Sequence, residues 1–216
     1  MKSVAHNNKD HEALVGIKDM LFNHRLNPGQ KIIYHDLENA LGMSKTPIIN
    51  ALSRLEQEGL VVYQKNRGYF VRQLTSRDVN QMYDLRTRLE AVAIDYAVLN
   101  GDKAGLTQLK QALENYVSYR SEVYDPQLFQ LDIGFHVGIA RMGQNEFLTN
   151  MLINFYETAW VGLRVTFLTS QLDEFRSDHR CIFEAIAKED AKSAKRIAKK
   201  HWEKALECVL KGYRED

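Results

Sequence analysis

Residues 41–71, LGMSKTPIINALSRLEQEGLVVYQKNRGYFV, are the stretch that decides the fold of this chain. Gly42 follows a short amphipathic segment and supplies the left-handed backbone conformation that ends many helices. Ser44 stands where an N-cap residue is expected, and Pro47 falls in the next helical turn, where a missing amide proton costs little. The stretch therefore predicts one helix that ends before Gly42 and another that begins after Ser44.

The second of these helices is amphipathic, with apolar residues three or four positions apart on one face. Gly59 ends it, and two β-rich runs follow at residues 60–63 and 69–71, on either side of a turn with two cations. A polar-faced second helix followed by a cationic hairpin predicts a winged helix-turn-helix, which places that helix in a DNA major groove. The apolar face consists of Ile48, Ala51, Leu52 and Leu55.

The outward face of the same helix and the tip of the hairpin carry the residues expected to meet DNA. Gly68 would let the hairpin backbone approach DNA closely, although a plain hairpin glycine explains it equally well. We expect contacts to the groove and its phosphates from Lys45, Thr46, Ile49, Asn50 and Arg54 and, at the hairpin, from Lys65, Arg67 and Gly68.

The composition of the 216 residues is that of a globular protein, with 44% hydrophobic residues and a net charge of +1. A generally basic protein that coats nucleic acid is excluded, but residues 1–74 hold 10 Lys and Arg against 7 Asp and Glu. Cys181 and Cys208 form no C-x-x-C pair, and the polar N-terminus has no apolar signal core. We expect a cytoplasmic protein without a membrane span.

The remainder of the chain predicts helices almost exclusively, so the fold class is mainly α. We expect a DNA-binding domain at residues 1–74 and an antiparallel bundle of about six helices at residues 75–216, joined by a short connection. The first dozen residues are expected to be frayed, and Lys31–Ile33 to form a short strand edge. The predicted bundle helices span 76–100, 103–121, 126–142, 146–169, 171–188 and 190–213.

Four polar residues occupy bundle positions where the periodicity predicts core. Asp132 and His136 are four residues apart and share one helix face, while His179 and His201 lie on the apolar rows of two later helices. One carboxylate and three neutral imidazoles suit a first-row divalent ion, Zn²⁺ above all, with Ni²⁺ or Mn²⁺ as alternatives. A metal-free bundle with structural histidines stays open, because periodicity does not show that the three helices converge.

Motifs along nearly the whole chain resemble the FadR-type branch of the GntR transcription regulators. They include LxxxLGMSKTP (37–47), ALxRLExEGLV (51–61), DxxxH (132–136) and DHRCIFEAI (178–186). The resemblance implies a dimeric, ligand-sensing helical domain (FCD) whose metal ligands are Asp132, His136, His179 and His201. Six sensing helices resemble the VanR-like subgroup.

The predicted reading helix departs from the family pattern at four positions, two of which are arginines in the family. Many relatives have SRTPVREAL where this chain has SKTPIINAL, so Ile49 replaces the family's arginine and Lys45 replaces an earlier one. Isoleucine cannot form the arginine fork to guanine, but it can touch a thymine methyl group, and Asn50 can pair with adenine. We expect an operator weighted toward A·T pairs.

The predicted function is a homodimeric regulator, foremost a repressor, that binds double-stranded operator DNA and responds to a small organic acid. The acid would complete the metal coordination and meet Arg86, although an ordinary ion pair with Glu90 competes for that side chain. A regulator that senses the ion itself is an alternative. A Zn²⁺ enzyme is the other alternative, but no general base is placed like the Glu of HExxH, so no enzymatic activity is expected.

Overall fold

The computed structural model describes residues 2–121, 125–163 and 171–213, with only the backbone given for residues 2–7. The mainly helical fold class expected from the sequence is confirmed, and the strands of the described residues form one two-stranded antiparallel sheet. Across these ranges, no helix is both long enough and apolar enough to cross a membrane.

The chain divides into two compact units. Unit 1 consists of residues 1–74 together with Glu157–Leu163, and unit 2 consists of residues 75–156 and 164–216. The last turns of one long bundle helix thus belong to unit 1, which sequence periodicity gives no means of predicting.

Unit 1 has the element order of a winged helix-turn-helix. Three helices are followed by a hairpin whose strands pair antiparallel, with Val61 opposite Val71. The elements are α1 (Lys2–Phe22), α2 (Tyr34–Leu41), α3 (Lys45–Gln57), β1 (Val61–Gln64) and β2 (Gly68–Val71).

The core of unit 1 forms where α1 and α3 pack together over the hairpin. The apolar face predicted for α3 is fully buried, and β1 and β2 turn alternate side chains toward it. Burial of this apolar area is the main free-energy gain of the unit. Its largest buried members are Ile17, Leu21, Leu37, Ile48, Leu52, Leu55 and Leu60.

The local sequence signals in unit 1 are only partly confirmed. Gly42 has φ +63° after α2, as its sequence position predicted. Ser44 lies at the N-cap of α3, but its side chain makes no capping hydrogen bond. The expected strand at Lys31–Ile33 is wrong, because Lys31 makes only an isolated bridge to Phe70. The expected fraying is also not seen, since helix α1 begins at Lys2.

Unit 2 contains six helices within the described residues, the number predicted from the sequence. Helices α4 and α6 pack on each other, and α9 packs on both α4 and α8. The helices are α4 (Ser76–Asn100), α5 (Lys103–Ser118), α6 (Pro126–Met142), α7 (Glu146–Gly162), α8 (Leu172–Ala187) and α9 (Ala191–Lys211).

Side-chain caps mark the starts of helices in unit 2. Thr75 and Asp78 form a reciprocal capping box at the start of α4, and Asn145 accepts a hydrogen bond from the Leu148 amide at the start of α7. Helix α5 ends at Ser118 instead of residue 121. The predicted extension of α7 to residue 169 lies outside the described residues.

Candidate functional site

Three buried histidines from three helices meet in the core of unit 2. His136 comes from α6, His179 from α8 and His201 from α9, and one ring nitrogen of each lies within 4.8 Å of the others. Their exposed fractions are 3% or less. The three helices therefore converge, which the sequence alone did not show.

The imidazole rings of His136 and His179 face each other through their Nε2 atoms. Nδ1 of His136 lies 2.7 Å from Oε2 of Glu90, and Nδ1 of His179 lies 2.8 Å from the carbonyl oxygen of Phe175. A carboxylate and a carbonyl only accept hydrogen bonds, so each Nδ1 carries the proton and each neutral ring has its lone pair on Nε2. The two Nε2 atoms are 3.0 Å apart. At that distance the lone pairs repel each other unless a proton or a cation lies between them.

Asp132 and His201 complete this group. Oδ1 of Asp132 lies 3.3 Å from Nε2 of His179 and 3.9 Å from Nε2 of His136. Nδ1 of His201 lies 3.5 Å from Oδ2 of Asp178. A hydrogen-bonded oxygen on Nδ1, as in His136 and His179, is the arrangement by which proteins turn Nε2 toward a metal ion. The structure thus brings together all four residues that the sequence named as metal ligands.

Burial keeps two of the histidines in the form that binds metals. Burial lowers the pKa of His179 well below its usual value, and the neighbouring His201 and His136 lower it further. Burial also lowers the pKa of His201, although the nearby Asp178 carboxylate partly opposes this. Both rings are therefore neutral at neutral pH, and a neutral imidazole has a free lone pair for a metal ion.

Arg86 lies beside this group. It forms the ion pair with Glu90 that was the alternative to its predicted contact with an organic acid. Its Nε donates to Oε1 of Glu90 at 2.6 Å, and its Nη2 lies 3.5 Å from Nε2 of His136. The guanidinium also stacks over the rings of Tyr156 and Tyr83, 4.9 and 5.4 Å from their centroids. Arg86 is thus a buried cation held rigidly next to the histidines.

Glu90 and Tyr156 belong to the site but were not predicted as site residues. The Tyr156 hydroxyl donates to Oε1 of Glu90 at 2.5 Å. Burial by itself raises the pKa of Glu90, but His136 and Arg86 outweigh it and bring the pKa well below the usual range. The sequence contains a signal for Glu90 as a buried polar residue, because Arg86 and Glu90 continue the buried row of α4 that includes Ala93.

The residues of α3 that are expected to contact DNA are exposed on unit 1. Along α3 the exposed positions recur at each turn, and two of their side chains have partners within the unit. Nζ of Lys45 lies 5.0 Å from the centre of the Tyr34 ring, and Nδ2 of Asn50 donates to Oδ2 of Asp10 at 3.1 Å. The exposed residues of α3 are Lys45, Thr46, Ile49, Asn50 and Arg54.

The hairpin tip presents two cations beside a glycine in the left-handed region. Lys65 and Arg67 are exposed, and the Arg67 guanidinium lies over the Phe70 ring at 5.0 Å. Gly68 has φ +91°, and an added Cβ there would meet nothing within 4 Å. The glycine is therefore required by its backbone conformation, not by crowding within unit 1.

Family comparisons agree with this architecture. The family model of the FCD domain matches residues 81–204, which is more than half of the chain, and the model described as "Bacterial regulatory proteins, gntR family" matches residues 12–71. The chain belongs to the GntR family. It is a DNA-binding transcriptional regulator with an FCD domain, and the branch expected from its sequence motifs is confirmed.

Individual relatives are similar over most of their length. This GntR-family chain is 28% identical to an uncharacterised HTH-type transcriptional regulator, YdhC of Bacillus subtilis, over 86% of this chain and 84% of that protein. It is 27% identical to the Nta operon transcriptional regulator of Aminobacter aminovorans, over 88% and 91%. The E. coli McbR/YncC structure has the same fold, with a TM-score of 0.81, 20% identity and coverage of 95% and 98%.

Proposed function

We propose that this GntR-family chain is a homodimeric repressor of the VanR-like subgroup, controlled by a small organic acid bound at a metal site. Residues 1–74 serve as the DNA-binding domain, and residues 75–216 as the effector-binding and dimerisation domain. The observation that carries the proposal is the 3.0 Å separation between the Nε2 atoms of His136 and His179, both with Nδ1 facing an acceptor. A divalent cation removes the repulsion of the two lone pairs.

The donor set fits a first-row divalent metal ion. We propose Zn²⁺, with Ni²⁺ or Mn²⁺ as alternatives, because three neutral imidazoles and one carboxylate suit these ions. When bound, the ion supplies a Lewis-acidic centre that attracts a carboxylate. The residues that hold it are Asp132, His136, His179 and His201.

An anionic effector follows from the charges around this site. The charges of a divalent ion, Asp132, Arg86 and Glu90 sum to a net positive charge in a buried region. The carboxylate of an effector would neutralise this charge. Nε of Arg86 is taken by Glu90, so the terminal nitrogens of the guanidinium are the ones available to an acid. The Glu90 pair therefore positions Arg86 for the effector and does not exclude that role.

Dimerisation is assigned to the exposed face of α4. Leu85, Val92 and Leu99 are seven residues apart along this helix and are 48%, 43% and 77% exposed. The spacing is symmetric about Val92, so an antiparallel second copy brings Val92 against itself and Leu85 against Leu99. Such self-complementarity is what a twofold interface requires, and the occupant of this face is a second copy of the chain.

Operator recognition is assigned to α3 and the hairpin tip. Ile49 is 38% exposed and can contact a thymine methyl group, while the Asn50 amide can pair with adenine. Lys45, Thr46 and Arg54 on α3, with Lys65, Arg67 and Gly68 at the hairpin, contact the backbone or the groove floor. These side chains favour an A·T-weighted, pseudo-palindromic site, on which a bound dimer represses by blocking the promoter.

Metal content and operator affinity, measured on one preparation, test the proposal. Elemental analysis of the purified chain is expected to find close to one divalent ion per protomer. Operator DNA is first obtained by selection from randomised duplexes. A panel of sugar, hydroxy, amino and aromatic acids should then weaken binding by the metal-loaded protein but not by metal-stripped protein. No bound metal, or release by an acid without metal, overturns the metal-site proposal.

The same measurement separates the second candidate, a regulator that senses the ion itself. The buried histidine group favours this candidate as well, because it needs only a cation. In that case metal alone changes operator affinity, and no acid adds to the effect. An acid that acts only on metal-loaded protein rejects this alternative.

A further inference from the structure

A carboxylate from another helix holds Asn50 on the exposed face of α3. Nδ2 of Asn50 donates to Oδ2 of Asp10, at 3.1 Å. Asp10 is four residues before Leu14 and seven before Ile17, and both of these are buried in the core of unit 1. Asp10 therefore continues the α1 row that packs on α3, but as a half-buried acid.

The contact with Asn50 uses only one of the two carboxylate oxygens of Asp10. Its Oδ1 atom is buried and has no hydrogen-bond partner among the described residues. A buried oxygen without a partner loses the hydrogen bonds that water would supply, and an apolar residue continuing the row avoids that loss. An acid in a row of apolar residues, bonded to the exposed face of α3, is a candidate for a role in recognition.

The contact fixes the orientation of the Asn50 amide. A carboxylate only accepts, so the amide must turn its Nδ2 toward Asp10. One N–H of Asn50 is then occupied, and the other N–H and the Oδ1 acceptor remain for a ligand. Without Asp10 the amide can rotate and exchange the places of its donor and acceptor.

We propose that Asp10 is a positioning residue that sets the base preference of Asn50 for adenine over guanine. The proposal rests on the assignment of α3 as the helix that reads the major groove. Adenine presents a donor at N6 and an acceptor at N7, which match an acceptor and a donor on the held amide. Guanine presents acceptors at both O6 and N7, so the outward Oδ1 of Asn50 opposes O6. An amide free to turn discriminates less.

The charge of Asp10 has a second effect that can be measured separately. A carboxylate near the DNA-facing surface repels phosphates and lowers affinity for every sequence alike. Asp10→Asn removes the charge but keeps an oxygen that accepts from Asn50, whereas Asp10→Ala removes both. The two variants therefore separate general affinity from base preference.

Selection from a library of randomised duplex DNA, with the full-length chain, tests the proposal. The wild type should select adenine at one position of each half-site, and Asn50→Ala should lose that preference. Asp10→Ala should lower the adenine-over-guanine preference at the same position by roughly tenfold, within the range set by a bidentate contact. Asp10→Asn should retain the preference while binding all sequences more tightly.

Three results overturn the proposal. Asp10→Ala keeps the full preference, loses affinity equally at every position, or acts at a position that Asn50→Ala leaves unchanged. Circular dichroism checks that each variant is folded, and Asp10→Leu, which also lacks an acceptor, replaces Asp10→Ala if the latter is not folded. A wild-type chain that selects no consensus contradicts the assignment of α3 instead, so the two failures are distinct.

Discussion

His136 and His179 present their Nε2 atoms to each other at 3.0 Å, while the opposite nitrogen of each ring faces an oxygen acceptor. Residues on two different helices thus direct two lone pairs to the same point. Neither ring can relieve the repulsion by exchanging its ring proton without breaking its hydrogen bond to Glu90 or to the Phe175 carbonyl. A proton or a metal ion between the two Nε2 atoms removes this repulsion.

Removal of one imidazole should abolish tight metal binding. We expect His179→Ala to lower Zn²⁺ affinity by about a hundredfold or more. Loss of a residue that only hydrogen-bonds to a metal ligand lowers affinity by about 10- to 100-fold, and His179 is itself a proposed ligand. Competition with a chromophoric chelator measures the affinity. His35→Ala is the matched control, because His35 is exposed on α2. Equal affinities for the two variants would remove His179 from the site.

Glu90 should strengthen metal binding through its hydrogen bond to His136, without being a metal ligand itself. We expect Glu90→Gln to weaken Zn²⁺ binding about 10- to 100-fold, because His136 loses the carboxylate that orients it. The free energy of unfolding should also fall by roughly 3–5 kcal/mol, since Arg86 is left as a buried cation without its partner.

Urea denaturation measures this loss in the metal-free protein. The control for Glu90→Gln is Asp84→Asn on the same helix, where the ion pair with Arg88 is exposed and little change is expected. A Glu90→Gln variant as stable as Asp84→Asn contradicts the proposed pairing.

The metal-free protein should lose stability as the pH falls below about 6.5, the usual pKa of histidine. The folded-state pKa values of His179 and His201 are both lowered, so below this pH the unfolded chain binds more protons than the folded chain. The contribution of these two residues is complete above pH 6.5 and decreases as the pH falls toward their folded-state values. Thermal denaturation across this range measures it, and His179→Gln should flatten the curve. A wild-type curve that is already flat rejects the prediction.

The exposed face of α4 should determine the oligomeric state. Val92→Glu is expected to convert the protein to a monomer, because a twofold interface places two glutamates against each other. Gln108→Glu introduces the same side chain at an exposed position of α5 and should leave the dimer intact. Sedimentation or light scattering distinguishes the two states. If Val92→Glu remains dimeric, the interface lies on another face.

Two glycines should respond in opposite directions to alanine. Gly42 has φ +63°, and an added Cβ would meet nothing within 4 Å, so Gly42→Ala should cost about 1–2 kcal/mol through backbone strain alone. Gly134 lies inside α6 with no described atom within 4 Å of an added Cβ. Gly134→Ala should therefore stabilise by about 0.5–1 kcal/mol. Chemical denaturation of both variants checks the sign, and a shared sign contradicts the argument.

Local sequence signals specify the elements and their buried faces. Gly42, Gly59 and the apolar positions of α3 were enough for the helix-turn-helix and hairpin, because local backbone preference and periodicity govern them. The same periodicity placed Asp132 and three histidines in the core of the bundle. The expectations were wrong at the start of α1 and at Lys31, where the sequence contains no strong structural signal.

The packing of the helices determines which of these faces meet and how their atoms are directed. Periodicity shows that His136 and His179 are buried, but the packing of α6 against its neighbours determines that their Nε2 atoms face each other. Contacts distant in the sequence also placed Glu90 behind His136 and Asp10 beside Asn50. A helical pattern specifies one coordinate, the angle around its own axis. The distances between side chains on different helices depend on how all the helices pack together.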